Sequence, residues 1–167
     1  MDVLLVATDG SSAAGAALEE AIALAQETGA RIEAITVWRA LQGDFGLAYP
    51  STAVLDDILE AERHHAESTL KDAAQRAAAA GVEITTRIEA GDPADRICAQ
   101  AAKVRARLIA IGTRGHGAVA TLLLGSVSHK VIRNAPCPVL VMPYRLRSAD
   151  PVTGVEVGSG SDSRQAS

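Results

Sequence analysis

Aromatic side chains are scarce in this sequence of 167 residues, where they make up only 2%. The core must therefore be built from Val, Ile, Leu and Ala, and few rings are available to stack on the bases of single-stranded nucleic acid. An excess of basic residues is also missing, since the formal net charge is -4 at pH 7. The sequence therefore predicts no nucleic-acid partner, and local donors must hold any phosphate ligand.

Cysteines and long apolar runs are few as well. Cys98 and Cys137 are far apart in sequence and show neither a CxxC pair nor the spacing of metal ligands. The apolar run that begins at Val3 reaches Asp9 too soon to span a membrane, and no basic segment precedes it as in a signal peptide. We therefore expect no membrane association and a reducing compartment, the cytosol by default.

Hydrophobic residues make up 48% of the chain, which suits a single domain with one core. Short apolar runs alternate with stretches of helical periodicity, the pattern of a parallel α/β sheet with right-handed crossovers. We expect a folded domain over 1–147 and, because Gly, Ser, Asp and Thr then predominate, a disordered tail over 148–167. The predicted strands are Val3–Ala7, Arg31–Trp38, Val82–Glu89, Leu108–Ile111 and Val139–Met142. The predicted helices run from Ser11 or Ser12 to Gly29, from Thr52 to Ala80, from Asp92 onward and from Gly125 to Asn134.

In sheets of this kind, ligands bind at the carboxyl ends of the strands. The segment from Gly112 to Ser128 follows the fourth strand at that end. Gly112 and Gly115 allow a sharp turn or a close approach of a ligand to the backbone. Gly125 and Ser126 lie at a helix start, where N–H groups and the helix dipole attract anions. The glycines could merely build a tight turn, but the second glycine–serine step favours a phosphate site.

The spacing of Gly112, two residues, Gly115, nine residues and Gly125-Ser126 resembles the ATP-binding motif of the universal stress protein family. The opening residues VATDGS (6–11) and the closing residues APCPVLV (135–141) are similar to the same family, so that the resemblance covers roughly residues 1–144. It implies an open five-stranded sheet of strand order 3-2-1-4-5, Rossmann-like, with helices on both faces. It also implies a homodimer that pairs through the last strand, Val139–Met142.

The resemblance further implies how ATP would be held. Asp9 would reach the ribose and adenine side beside the backbone of Ala7 and Thr8. The backbone of Val37 would pair with the adenine edge. Gly112 would lie against the ribose next to Ile111, which completes the nucleoside side of the site.

On the phosphate side, the resemblance places Gly115 against the phosphates. The N–H groups of Gly125, Ser126 and Val127, with the side chains of Ser126 and Ser128, would hold the β- and γ-phosphates. A Mg²⁺ ion would be shared with the phosphates, as hard cations usually bind nucleotides. The resemblance therefore implies an ATP-binding protein that acts in regulation or the stress response.

Several alternatives stay open from the residues themselves. Asp9 could simply cap the first helix. An ATP-hydrolysing or self-phosphorylating enzyme is disfavoured because no Gly-Lys-Ser/Thr loop and no obvious general base accompany the glycines. If such activity exists, the candidate acceptors are Ser126, Ser128 and Thr121. A third alternative is a partner-binding module that responds to AMP or cyclic AMP.

Overall fold

The computed structural model describes residues 1–38, 52–113 and 124–143. In these ranges the strands pair in parallel in the order β3-β2-β1-β4-β5, which confirms the expected α/β class and sheet order. The strands are β1 (Val3–Ala7), β2 (Arg31–Trp38), β3 (Ile84–Ala90), β4 (Leu108–Gly112) and β5 (Val139–Met142). The helices are α1 (Ser12–Thr28), α2 (Thr52–Ala79), α3 (Pro93–Val104) and α4 (Ser126–Asn134).

The helices cover both faces of the sheet, with α1 and α2 on one face and α3 and α4 on the other. Right-handed crossovers require this arrangement, because the chain moves one way across the sheet from β1 to β3 and the opposite way from β4 to β5. Two aliphatic clusters fill the space between helices and sheet, as the shortage of aromatic residues predicted. The largest fully buried side chains are Leu5, Leu18, Ile32, Ile35, Ile109, Val6 and Val131.

The helix ends follow the local signals in the sequence. Ser11, rather than Ser12, is the N-cap of α1, and its hydroxyl accepts a hydrogen bond from the Ala14 N–H at 3.3 Å. Gly29 ends this helix in the left-handed conformation, with φ of 68°. Asp92 caps α3, whose first residue is Pro93, as predicted.

Several predicted boundaries are wrong by one or two residues. Strand β3 ends at Ala90 and not at Glu89, β4 ends at Gly112 and not at Ile111, and α2 ends at Ala79 and not at Ala80. Strand β3 begins at Ile84 and not at Val82, because the Val82 N–H donates to the carbonyl oxygen of Ala77 at 2.9 Å and so closes α2. Gly125 is the N-cap of α4 and not its first helical residue. The expected disordered tail at 148–167 lies outside the described residues.

One polar cluster is buried between the sheet and α3. Glu33 on β2 is only 6% exposed, and its carboxylate accepts hydrogen bonds from the side chains of Gln100 and Arg87. These partners supply the hydrogen bonds that a buried carboxylate needs. Among the described residues, no helix is both long enough and apolar enough to cross a membrane.

Candidate functional site

The edge of the sheet predicted to carry the site is formed where β1, β2 and β4 end together. Ala7 is paired in register with Ile35 on one side and Ile111 on the other. Ala7 and Ile111 are buried, whereas Val37, two residues further along β2, is half-buried. The structure therefore brings the predicted nucleoside-side residues of three strands to the carboxyl end of the sheet. They lie at the topological switch point between β1 and β4, on either side of which the crossover connections run in opposite directions.

The turn that leaves β1 is fixed by hydrogen bonds to its neighbours. The Thr8 N–H continues the ladder to the Ile35 carbonyl at 3.0 Å, and the buried Thr36 hydroxyl donates to the Thr8 carbonyl at 2.8 Å. The Gly10 N–H donates to the Thr8 hydroxyl at 3.3 Å. Gly10 has a φ of +81°, a conformation that a side chain would strain. The turn is therefore a well-defined element of the edge.

Asp9 lies in the middle of this turn. Its Oδ1 accepts a hydrogen bond from the Ser11 N–H at 3.0 Å, so the carboxylate supports the start of α1. Its carbonyl oxygen lies 3.1 Å from Nε2 of His65, which reaches it from α2. The sequence left open that Asp9 caps α1, but the N-cap is Ser11, and Asp9 precedes it with a side-chain bond to the Ser11 N–H. The role of Asp9 toward a ligand stays a prediction.

Gly112 ends β4 under the first turn of α1. A Cβ at this position would lie 2.7 Å from both the Ala13 carbonyl carbon and the Ala14 nitrogen. Such separations are too short for real Cβ atoms, so α1 can sit here only because residue 112 is glycine. The structure therefore gives Gly112 a packing reason, in addition to the ligand role implied by the motif.

The start of α4 is fastened to the end of β4. The Gly125 N–H donates to the Thr113 carbonyl at 2.7 Å, and the buried Ser128 hydroxyl donates to the Gly112 carbonyl at 2.8 Å. The same Ser128 oxygen lies 3.2 Å from the Thr113 carbonyl oxygen. These bonds join the residues on either side of the segment 114–123. The segment lies outside the described residues, and so do the predicted site residue Gly115 and the candidate acceptor Thr121.

The first backbone N–H groups of α4 can bind an anion at this end of the sheet. Gly125 is the N-cap and, lacking a side chain, provides no side-chain acceptor for the first turn. The N–H groups of Ser126 and Val127 have no acceptor within the helix, as in the first turn of any α-helix. Ser126 is exposed and Val127 half-buried. The helix start thus offers donors and the positive end of a dipole to an anion.

One ion pair of the described residues lies at this end of the sheet. The Lys130 Nζ lies 3.0 Å from Oδ2 of Asp92, which links α4 to the N-cap of α3. The ammonium group of Lys130, with help from the Asp95 N–H, lowers the pKa of the Asp92 carboxyl below its ordinary value. The Lys130 side chain is half exposed, so this is a surface ion pair.

The described histidines and cysteines give no sign of a metal centre. His64 and His65 are exposed on α2, and the described residues contain no group of three His, Cys, Asp or Glu side chains that could hold a metal ion. Cys98 and Cys137 pack against the cluster under α3 and α4, and burial raises the pKa of both thiols. They act as small apolar residues of the core margin.

Two contacts of the site could not be found from motifs. The bond of Thr36 to Thr8 joins β2 to the end of β1, and no motif in the sequence indicates it. The bond of His65 to Asp9 spans 56 positions, and nothing in the periodicity of α2 indicates it.

Comparison with known proteins places this architecture among universal stress proteins. The model of the Universal stress protein family matches residues 1–143. The universal stress protein YxiE of Bacillus subtilis (strain 168) is 34% identical over 143 residues, which are 83% of this chain and 97% of that relative.

Solved structures agree with the sequence comparison. Universal stress protein UspA from Lactobacillus plantarum superposes with a TM-score of 0.73 at 31% identity, over 84% of this chain and 97% of that one. A universal stress protein in complex with cAMP gives a TM-score of 0.64 at 28% identity, over 84% and 96%. A universal stress protein from Archaeoglobus fulgidus in complex with dAMP gives 0.60 at 26%, over 85% and 97%.

Proposed function

The chain belongs to the universal stress protein family, and on that premise we propose that it is a cytoplasmic regulatory protein of the stress response that binds ATP and Mg²⁺. The nucleotide lies at the carboxyl edge of β1 and β4, within a nucleotide-binding domain that spans residues 1–147. The protein acts as a homodimer.

The observation that carries this proposal is the start of α4. Its first turn has no side-chain cap and is fixed against β4 by the Ser128 hydroxyl and the Gly125 N–H. A rigid, uncapped helix start is suited to a polyanion because its donors need no rearrangement to bind. Since the Gly125 N–H is bonded to the Thr113 carbonyl, the proposal assigns the phosphates mainly to the amides of Ser126 and Val127 and to the Ser126 hydroxyl.

The nucleoside side follows from the same edge. The turn around Asp9 and the ends of β2 and β4 surround the position next to the helix start, where ribose and base would lie. In the proposal Asp9 faces the ribose and Val37 presents its backbone to adenine. The complexes of two family members with cAMP and dAMP support recognition of an adenosine unit at this fold.

The choice of a triphosphate rests on the sequence motif. The glycine spacing from Gly112 through Gly115 to Gly125 and Ser126 resembles that of the ATP-binding members, and it ends at the α4 amides. The proposal gives Mg²⁺ to the phosphate oxygens and not to a set of protein ligands, because hard cations bind nucleotides in this way. When bound, the ion would neutralise part of the phosphate charge.

The proposed homodimer uses β5. Within the described part of the chain, β5 pairs with β4 alone and is an edge strand of the sheet. An edge strand exposes backbone N–H and C=O groups that can pair with a second strand. A two-fold pairing of β5 with the same strand of a second copy would satisfy them.

The test uses two substitutions at Ser126. Ser126→Pro removes the first amide of α4 at a position that accepts proline, and Gly125 already has the extended conformation required before proline, with ψ of 160°. Ser126→Ala removes only the hydroxyl and is the matched control.

We expect calorimetry to show ATP affinity reduced about tenfold or more by Ser126→Pro, since hydrogen bonds to charged groups are the stronger ones. Ser126→Ala should cost less, and adenosine should bind both variants equally well. Unchanged ATP affinity in folded Ser126→Pro would contradict the proposed phosphate site.

A further inference from the structure

The β1–α1 turn is held from outside by a side chain of α2. Nε2 of His65 lies 3.1 Å from the carbonyl oxygen of Asp9. A carbonyl oxygen can only accept, so the imidazole donates through Nε2. This contact is a direct hydrogen bond between α2 and the residue that the proposed function places against the ribose.

The neighbouring peptide groups of the turn have partners of their own. The Thr8 carbonyl accepts from the Thr36 hydroxyl, which fixes it to β2. The N–H groups of Gly10 and Ser11 donate to the side chains of Thr8 and Asp9, inside the turn. The bond from His65 ties the middle of the turn to a separate helix.

The packing around Gly10 shows that α2 touches the turn closely. A Cβ at Gly10 would lie 2.9 Å from Oγ1 of Thr69 and 3.6 Å from Cε1 of His65. His65 and Thr69 are four residues apart and so lie on one face of the helix. This face of α2 is seated on the turn, and a displacement of α2 would be transmitted to Asp9.

We propose that His65 is a positioning residue for the nucleoside side of the site: by donating to the Asp9 carbonyl it fixes the peptide that aims the Asp9 side chain at the ribose. The inference rests on the proposed function. It adds that α2, which has no residue in the motif, takes part in nucleotide affinity.

The effect should depend on the nucleoside and not on the number of phosphates. Asp9 is assigned to the ribose, whereas Ser126 and Val127 are assigned to the phosphates. Loss of the His65 bond should therefore weaken ATP, AMP and adenosine by the same factor. A general loosening of the fold would also lower the melting temperature, and a disturbed phosphate site would affect ATP more than adenosine.

The experiment compares three variants by calorimetric titration with ATP, AMP and adenosine. His65→Leu removes the donor, and His65→Gln restores one, because its side-chain amide has a similar reach. His64→Leu changes the adjacent exposed histidine and is the matched control. We expect His65→Leu to weaken all three ligands by roughly three- to tenfold, the effect of one hydrogen bond. His65→Gln should recover most of the affinity, and His64→Leu should leave it unchanged.

A second measurement separates this inference from the proposed function. Amide hydrogen exchange on the nucleotide-free protein should be faster at Gly10 and Ser11 in His65→Leu than in the wild type. If the wild type binds the nucleotides and His65→Leu binds them with the same affinity, the inference is overturned and the proposed function is not. A wild type that binds no adenine nucleotide would overturn the proposed function, and the exchange rates would then still show whether His65 holds the turn. Unchanged exchange would overturn the inference in either case.

Discussion

The hydroxyl of Ser128 donates a hydrogen bond to the carbonyl oxygen of Gly112 at 2.8 Å and joins the first turn of α4 to the end of β4. The two residues are 16 positions apart and flank the glycine-containing segment of the motif. Ser128 is only 3% exposed, so water cannot take the place of this hydrogen bond if it is lost. The arrangement holds the α4 amides at the sheet edge before any ligand arrives.

Ser128→Ala should therefore lower the free energy of unfolding. It leaves the Gly112 carbonyl without its donor in a buried place, which typically costs about 1–3 kcal/mol. Urea unfolding measures the change, and Ser126→Ala, at an exposed position, should change it by less than about 0.5 kcal/mol. Equal stability of the two variants would show that the Ser128 bond does not hold α4 to β4.

Gly112→Ala should destabilise the fold, because the added methyl group would meet the backbone of Ala13 and Ala14 at 2.7 Å. Overpacking of this kind costs about 1–3 kcal/mol. Gly15→Ala is the matched control, because its Cβ would meet only Nη1 of Arg76 at 3.6 Å.

Since Gly15 lies inside α1, the control should stabilise the protein by about 0.5–1 kcal/mol. Thermal unfolding should thus shift in opposite directions for the two variants. A shift in the same direction would mean that the end of β4 does not pack on α1 as described.

Much of the fold followed from local patterns. The caps at Ser11 and Asp92 and the stop at Gly29 are local signals that the structure confirms. The order of the strands was implied only by the family resemblance, because alternation of strands and helices leaves the order open. The start of β3 was predicted too early, since apolar Val82 fits a strand equally well and only its bond to Ala77 assigns it to the helix end.

The candidate site was predictable in its location and less so in its contacts. The glycines after β4 and the turn at Asp9 lie at the expected edge because strand direction determines it. The clash that requires glycine at 112 involves α1, nearly a hundred residues earlier, and no local pattern reports such a distance. The same holds for the buried Glu33, whose partner Gln100 is recognisable only after α3 is placed on the sheet.

The pH dependence of stability should reveal the pair of Asp92 and Lys130. The pKa of Asp92 is lowered in the folded state, chiefly by the hydrogen bond from Lys130. The contribution of Asp92 to the free energy of unfolding is therefore complete above the ordinary pKa of 3.8. It is lost as the pH falls below 3.8 through the folded-state pKa.

Asp92→Asn keeps a good N-cap but removes the charge. The wild type should be more stable than this variant by no more than about 1 kcal/mol at pH 7, because the pair is exposed. The difference should vanish in acid and shrink in high salt. Lys130→Met should reproduce it, and a difference that persists at pH 2 would contradict the assignment.

The dimer proposal predicts a response to proline in β5. The carbonyls of Pro138 and Met142 accept from β4, so by the alternation of a parallel ladder the backbone of Val141 points away from β4. Val141→Pro should thus remove an outward N–H without breaking a bond to β4.

We expect sedimentation to show a dimer for the wild type and a monomer for Val141→Pro. Ile88→Ser, on the margin strand β3 at the other side of the sheet, should remain dimeric. A wild-type monomer, or a dimer that survives Val141→Pro and is lost in Ile88→Ser, would contradict pairing through β5.

The most direct test of the account is calorimetric titration of nucleotide-free wild-type protein with ATP in the presence of Mg²⁺. We predict saturable binding of one ATP per chain, weakened when Mg²⁺ is removed by a chelator, because the ion would offset part of the phosphate charge. If the titration gives no binding heat, and the protein is shown to be folded and free of bound nucleotide, the result would contradict the proposal that this protein binds ATP.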